Sequence, residues 1–282
     1  MRAFLALLVL ACLCLPQGVR AQTPQVPNFW DPQERFIKPN LSQRPRLRFL
    51  TVTDFPPFSY IDAKKRLAGF HVDLARALCD ELSLAAVCQI QGIPLSELAG
   101  ALRRGEGDAV MAGLAVTAAS RADFLHTRPY FRLPARLAVR KDGPLARLGR
   151  RDTVARLTDR SVGIADATAH AAYARAHLEG AKLRLFASEG AAVRALTRGE
   201  IDAVFSDGLS LAQRLLTGSA AECCRLAGEP FLAPPYFGAG LTIATRGDDP
   251  ELVQGLNYVL RSLTEKGTFE ELYLRYFPVS LY

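Results

Sequence analysis

The chain has 282 residues, a formal charge of +7, 22% charged residues and 49% hydrophobic residues. This composition is typical of a globular protein and excludes a disordered or fibrous one. After residue 21 no run of about 18 apolar residues is free of charge, which excludes a later membrane-spanning helix. The scattered arginines form no basic stripe, so we expect no nucleic-acid binding.

Residues 1–21 have the features of a secretory signal peptide, with Arg2 at the start, an apolar core and a small-residue cleavage site ending at Ala21. Its removal takes away Arg2 and Arg20 and no acidic residue, so the charge falls from +7 to +5. We therefore expect the mature protein in the periplasm. A lipoprotein modified at Cys12 is the alternative, but it would make the apolar core very short.

Residues 22–46 are rich in proline and lack a hydrophobic period, which predicts an extended N-terminal arm. The arm contains Phe29 and Trp30, the only tryptophan of the chain. We expect this aromatic pair to pack on the surface of the folded domain, and docking to a partner is the alternative.

From residue 47 onward strands and helices alternate, which predicts an α/β fold. The predicted strands are 47–52, 86–91, 107–111, 161–165, 182–186 and 201–205. The predicted helices are 70–82, 95–102, 169–178, 191–196, 251–266 and 269–276.

A near-repeat divides this series in two. Residues 101–110 recur as residues 195–204, with eight of ten positions identical. Each copy ends a helix on a glycine and enters a buried strand, which predicts two similar lobes. Because ligands bind outside the carboxyl ends of strands in open α/β sheets, residues 112–115 and 206–208 should converge on one cleft. Chance similarity between two helix-glycine-strand turns is the alternative.

Four cysteines follow residue 21, and an exported protein is the setting in which disulfides persist. Cys79 and Cys88 flank a helix end and a strand start, a spacing compatible with a local bridge. The adjacent Cys223 and Cys224 could pair with each other or stay free. The four histidines show no ligand spacing, so we predict no metal site and no cofactor.

The ordered motifs resemble the periplasmic solute-binding proteins of family 3, the polar amino-acid type that serves ABC importers. The similarity covers about residues 46–278 and includes the strings Asp54-Phe55-Pro56-Pro57-Phe58 and Gly267-Thr268-Phe269-Glu270. It implies a bilobal α/β fold of the type II periplasmic-binding-protein class, with two lobes joined by two hinge strands. The implied first lobe spans 47–132 and 238–282, and the second, with the hinges, spans 133–237.

The resemblance also implies a ligand site. Phe55 corresponds to the aromatic platform, Leu95 to a second platform position, Gly113 to a source of backbone contacts and Asp207 to the carboxylate that grips an α-ammonium group. Cys79 and Cys88 fall where some members carry a disulfide. On residues alone, Asp207 could instead cap the helix that follows it.

The half of the site that would bind a carboxylate departs from the family pattern. Ala115 stands where a hydroxyl residue is usual, and Arg121 lies one residue after the usual arginine position. Thr168 and His170 lie at a predicted helix start, where backbone N–H groups favour an anion. An ordinary α-amino acid is therefore not the only ligand that this sequence allows.

We expect a monomeric, non-enzymatic receptor that passes a small polar solute, an amino acid or related amine, to the permease of an ABC importer. A cyclohexadienyl-dehydratase-like enzyme is one alternative, for which Asp54 and Asp207 would supply acid-base chemistry. No sequence motif of a nucleophilic hydrolase or phosphate loop supports it. A periplasmic partner or sensor that docks through the 22–46 arm is the other alternative.

Overall fold

A computed structural model describes residues 26, 28–31, 33–112, 116, 118–216, 218–277 and 281–282. The predicted signal peptide and Cys12 lie outside these residues. Within the described part of the chain, no helix is both long and apolar enough to cross a membrane.

Thirteen strands and ten α-helices are named in chain order. The strands are β1 Leu47–Thr51, β2 Asp54–Phe55, β3 Ser59–Ile61, β4 Leu67–Ala68, β5 Cys88–Gly92, β6 Ala109–Val110, β7 Phe124–His126, β8 Ala135–Arg140, β9 Ser161–Ala165, β10 Lys182–Phe186, β11 Ala203–Asp207, β12 Cys224–Phe231 and β13 Ala244–Arg246. The helices are α1 Phe70–Glu81, α2 Leu95–Arg103, α3 Ala118–Asp123, α4 Ala169–His177, α5 Glu189–Thr197, α6 Gly208–Arg214, α7 Gly218–Cys223, α8 Pro234–Phe237, α9 Pro250–Glu265 and α10 Thr268–Tyr276.

Two five-stranded sheets share one plan. The first has the order β5-β1-β6-β13-β7 and the second the order β10-β9-β11-β8-β12. In each sheet the first three strands are parallel and the fourth is antiparallel to the third. A small antiparallel sheet of β2, β3 and β4 adjoins α1. The predicted α/β fold with two similar halves is confirmed.

The first sheet contains strands from both the early and the late part of the chain. Helices α9 and α10 pack on α1 beside this sheet, and they place their buried faces in the same hydrophobic core. The amphipathic period of α9 explains its orientation, because Leu252, Leu256, Val259 and Leu263 recur at helical spacing and are buried. The second sheet is covered by separate clusters on its two faces.

Two segments connect the sheets and pair with each other. Phe131 and Leu241 form an antiparallel bridge, in which Leu241 N–H donates to the Phe131 carbonyl at 2.7 Å. Tyr130 N–H donates to the Leu241 carbonyl at 3.0 Å. These segments adjoin the predicted lobe boundaries at 132/133 and 237/238, and the boundaries and the hinges stay predictions.

Several strands were not predicted from the sequence. Strands β8 and β12 form the antiparallel edge of the second sheet, and their alternation is weak because β8 is buried along most of its length. The short strands β2 to β4 were also not predicted. Their two- or three-residue lengths leave no periodicity to detect.

Both pairs of cysteines are bonded. Cys79 at the end of α1 and Cys88 at the start of β5 are linked, with their Cα atoms 6.2 Å apart. Cys223 and Cys224 form a disulfide between adjacent residues. The sequence left the state of this second pair open.

The described part of the N-terminal arm lies against the first lobe. The Phe29 ring meets the Tyr282 ring edge-to-face at 5.8 Å, and the Arg132 guanidinium lies 4.7 Å from the Phe29 ring centroid. Trp30 is partly buried beside the same core, and Leu41 is fully part of it. The aromatic pair thus packs on the protein's own surface, as the sequence predicts.

Candidate functional site

The predicted ligand residues follow the carboxyl ends of parallel strands in both sheets. Phe55 follows β1, and Leu95 opens the helix after β5. Thr168 and His170 follow β9, and Asp207 is the last residue of β11. This is the edge at which open α/β sheets bind ligands, so the topology supports one candidate cleft between the two sheets.

Phe55 is held in the first lobe by stacking. Its ring lies 4.8 Å from the Phe58 ring at an interplanar angle of 23°. Phe58 is completely buried and also contacts Phe70 and Phe131 edge-to-face. A rigid buried support beneath a partly exposed ring is what an aromatic platform for a ligand requires.

Asp207 caps helix α6. Its Oδ1 accepts a hydrogen bond from Ser210 N–H at 2.8 Å, which is the capping role that the sequence offered as the alternative. Burial raises the pKa of the Asp207 carboxyl, backbone N–H groups oppose this, and the nearby Glu189 raises it further. Among the described residues, no cation forms an ion pair with Asp207. Backbone N–H groups are thus the described donors that offset its charge.

Thr168 and His170 lie at the start of α4. The Thr168 hydroxyl accepts from Ala171 N–H at 3.1 Å and donates to the Ala165 carbonyl at 2.8 Å, so it serves as the N-cap. The His170 ring stacks on Phe237 at 4.9 Å and 22°. Burial lowers the pKa of His170, and Glu189 partly offsets that effect. His170 is therefore part of an aromatic wall rather than a free cation.

The remaining predicted positions differ in how the structure describes them. Leu95 is 60% exposed in the first turn of α2, an unusual exposure for a leucine beside a cleft. Arg121 is exposed on α3, and its charge adds to the burial that lowers the pKa of His126. Gly113 and Ala115 lie outside the described residues.

A carboxylate network beside Asp207 was not predicted. Glu189 at the start of α5 accepts hydrogen bonds from the Ser206 and Ser210 hydroxyls and from Arg214 Nε, each at 2.6 Å. The four-residue spacing of Ser210 and Arg214 places them on one helix face, which is a signal the sequence did contain. The seventeen-residue distance from Ser206 to Glu189 hid the contact.

These groups have the chemistry of a site for an organic cation. No group of three or more His, Cys, Asp or Glu side chains within the described ranges could hold a metal ion. Partly buried carboxylate, hydroxyl and aromatic groups instead complement an ammonium group on an organic body.

The chain belongs to the bacterial extracellular solute-binding proteins, family 3, whose model matches residues 47–279. It is similar to the putative ABC transporter arginine-binding protein 2 of Escherichia coli K12, with 31% identity over 232 residues that cover 82% of this chain and 90% of the relative. It is also similar to the histidine-binding periplasmic protein of Salmonella typhimurium, with 26% identity over 84% of this chain and 89% of the relative.

Solved structures agree with this assignment. An ancestral cationic amino acid solute-binding protein is 28% identical, with a TM-score of 0.60 over 83% of this chain and 96% of that one. The L-cystine solute receptor of Neisseria gonorrhoeae shares the fold, with a TM-score of 0.71 at 18% identity over 84% of this chain and 94% of that one. The protein is thus a solute-binding protein of the bilobal type, and the family places it in the periplasm with ABC transporters.

Proposed function

We propose that the protein binds an amino acid with a positively charged side chain and delivers it to the permease of an ABC importer. The observation that carries the amine-binding part of this proposal is Asp207, a partly buried carboxylate at the end of β11 with no ion-pair partner among the described residues. A buried carboxylate without a cation is costly, and a ligand ammonium group removes that cost.

The relatives support the cationic class. Two of the similar proteins are named for arginine and histidine, and a similar ancestral protein is named for cationic amino acids. In this chain Glu189 lies beside Asp207 and adds a second carboxylate to the second-lobe face. Because Glu189 is paired with Arg214, Asp207 is the carboxylate proposed to meet the ligand, and the preference for a cationic side chain rests on the relatives.

The first lobe contributes the apolar half of the proposed cleft. Phe55 would cover the ligand body, Leu95 would close one side, and the segment of Gly113 and Ala115 would provide backbone contacts. Arg121 on α3 and the start of α4 are the proposed partners of the ligand carboxylate. A guanidinium fork and free helix N–H groups both suit that group.

Calorimetric titration with L-arginine, L-histidine and neutral L-glutamine tests the proposal. We expect the cationic amino acids to bind more tightly, and Asp207→Ala to weaken binding by roughly 2 to 5 kcal/mol, which is about 30-fold or more. Asp159→Asn is the matched control, because Asp159 is exposed in the same lobe and pairs with Lys182. Equal affinity of the wild-type protein and Asp207→Ala would refute the site.

The affinity should also depend on pH. The ligand ammonium pairs with the ionised form of Asp207, so binding is present above the pKa of this carboxyl and is lost as pH falls through it. Because burial raises that pKa, the loss should begin at a higher pH than for an exposed aspartate. Titrations between about pH 4 and pH 8 measure this loss of affinity in acid, which we call the acid limb of binding.

The proposal includes export by a cleaved signal peptide, a monomeric state and no catalysis. Incubation with prephenate tests the dehydratase alternative, and product formation would contradict a purely binding role. Light scattering of the mature protein tests the monomer. Mass spectrometry of the exported protein tests cleavage before Gln22.

A further inference from the structure

The second lobe contains a largely buried carboxylate, Glu189, beside the candidate site. The Glu189 side chain is only 13% exposed, and three donors surround it: the Ser206 hydroxyl, the Ser210 hydroxyl and Arg214 Nε. Arg214 is 49% exposed and is the only cation among them. Helix α5 is thereby tied to both the end of β11 and the first turns of α6.

Two serines that bind Glu189 flank Asp207 in the sequence. Ser206 immediately precedes Asp207, and its hydroxyl donates to Glu189 Oε2. Ser210 donates its backbone N–H to Asp207 Oδ1 at 2.8 Å and its hydroxyl to Glu189 Oε1 at 2.6 Å. A single serine, Ser210, therefore links the two carboxylates.

The charges near Asp207 come from four elements. Glu189 lies on α5 and Arg214 on α6. Arg136 on β8 packs its side chain against Gly208, the residue after Asp207, and His170 lies at the start of α4. The charge of Glu189 raises the pKa of both Asp207 and His170. Its ion pair with Arg214 balances its charge, and either partner can be changed separately.

We propose that Glu189 is a positioning residue that sets how strongly the cleft holds a ligand ammonium group. It fixes Ser206 and Ser210 on either side of Asp207, and its charge acts on the same face. The inference rests on the proposed function, because it concerns the strength of the contact between Asp207 and an ammonium ligand.

Two charge-removing substitutions of similar shape test this inference. In Glu189→Gln the negative neighbour is lost and Arg214 is unbalanced, so Asp207 should ionise at a lower pH. The acid limb of L-arginine binding should then move to lower pH, and affinity at neutral pH should fall about five- to tenfold. In Arg214→Gln the charge of Glu189 is unbalanced, and the acid limb should move to higher pH.

The decisive readout is that the acid limb moves to lower pH in Glu189→Gln and to higher pH in Arg214→Gln. Loss of packing alone would weaken binding in both variants without moving the acid limb in opposite directions. Titration of the Asp207 carboxyl by carbon-13 NMR in the ligand-free variants assigns the limb. If Glu189→Gln does not fold, the upward movement in Arg214→Gln still decides. Wild-type binding with limbs that stay in place or move together would overturn this inference alone. Absence of amino-acid binding by the wild-type protein would overturn the proposed function as well.

Discussion

The two copies of the repeated turn are made with the same hydrogen bonds. Asp108 Oδ2 accepts from Arg48 N–H of β1, and Asp202 Oδ2 accepts from Ser161 N–H of β9, both at 2.8 Å. In both copies the aspartate N–H donates back to the carbonyl of the same strand residue at 2.9 Å. The reciprocal pair locks the turn to the first strand of each sheet.

The large and the small residue that meet at this turn change places between the two copies. In the first lobe Gly107 faces Leu50, and a Cβ added to Gly107 would lie 2.4 Å from Leu50 Cγ. In the second lobe Ile201 occupies the glycine's place and faces Gly163, with its Cδ1 2.5 Å from the position of an added Cβ. Leu50 and Gly163 are equivalent, since each lies two residues after the strand residue that binds the aspartate. The same turn thus accepts either arrangement if one partner is small.

The aspartates also differ in their surroundings. Asp108 lies near two cations, Arg46 at 3.3 Å and Arg246 at 3.7 Å. Asp202 instead accepts from the Ser161 hydroxyl at 2.9 Å. The shared geometry is therefore stabilised by charge in the first lobe and by a neutral hydroxyl in the second.

The exchange of large and small side chains between the two lobes predicts the largest effect on stability. Gly163→Leu places a large side chain against Ile201, Phe186 and Ala192 in a buried strand, so it should destabilise the second lobe by about 3 kcal/mol or more. Ile201→Gly alone should destabilise it through the cavity that it leaves. Combining the two reproduces the first-lobe arrangement and should cost less than the sum of the single changes. Urea unfolding of the four proteins gives the coupling energy.

Recovery in the double variant should be partial, because Phe186 Cε2 would still lie 2.9 Å from the new Cβ. Additive destabilisation would show that the two positions are independent, and the equivalence of the two lobes would then be limited to the backbone.

The aspartates predict a smaller effect that differs between the copies. Asp108→Asn keeps an acceptor for Arg48 N–H but removes the carboxylate that pairs with Arg46 and leaves Arg246 with Asp248, so we expect a loss of about 2 kcal/mol. Asp202→Asn should cost about 1 kcal/mol, because its partners are neutral. Urea midpoints at low and high salt measure the difference. Salt should reduce the effect only at Asp108, and an equal salt dependence would contradict the assignment of charges.

The sequence predicted the parts of this comparison that are local. Residue spacing was enough for the repeat, the two lobes and the strand end that carries Asp207, whereas Phe55 came from the resemblance to the family. The residues that pack against Gly107 and Ile201 were not predictable. Leu50 lies more than thirty residues before Gly107, and Gly163 more than thirty residues before Ile201. Each pair meets only through strand register.

The site shows the same limit. The two alternative roles of Asp207 turned out to be compatible, because a carboxylate has two oxygens and the cap uses one of them. Glu189 was missed because its partners lie in a later strand and helix, and helix propensity says nothing about such contacts. Adjacent cysteines give no sequence signal of their oxidation state, so the Cys223–Cys224 bond also required the structure.

The smallest effect is expected at the exposed ion pairs that both copies share. Arg104 pairs with Glu106 at 2.6 Å, and Arg198 pairs with Glu200 at 2.5 Å. In each copy the hydrogen bond from the arginine lowers the pKa of the glutamate. Exposed pairs contribute little to stability because water screens them, so Glu106→Gln and Glu200→Gln should leave the urea midpoint at neutral pH unchanged.

The pH dependence of stability tests whether either exposed pair contributes to stability. A lowered glutamate pKa gives stability that is present above the unfolded-state pKa and is lost as pH falls through the folded-state pKa. If either pair mattered, its variant would be less stable than the wild-type protein at pH 7, and the two would become equal in acid. Such convergence in one copy but not in the other would show that the shared turn is held by its exposed pair in that lobe. Matching midpoints from pH 7 down to about pH 3 would assign the turn to the hydrogen-bonded aspartate, Asp108 or Asp202, in both lobes.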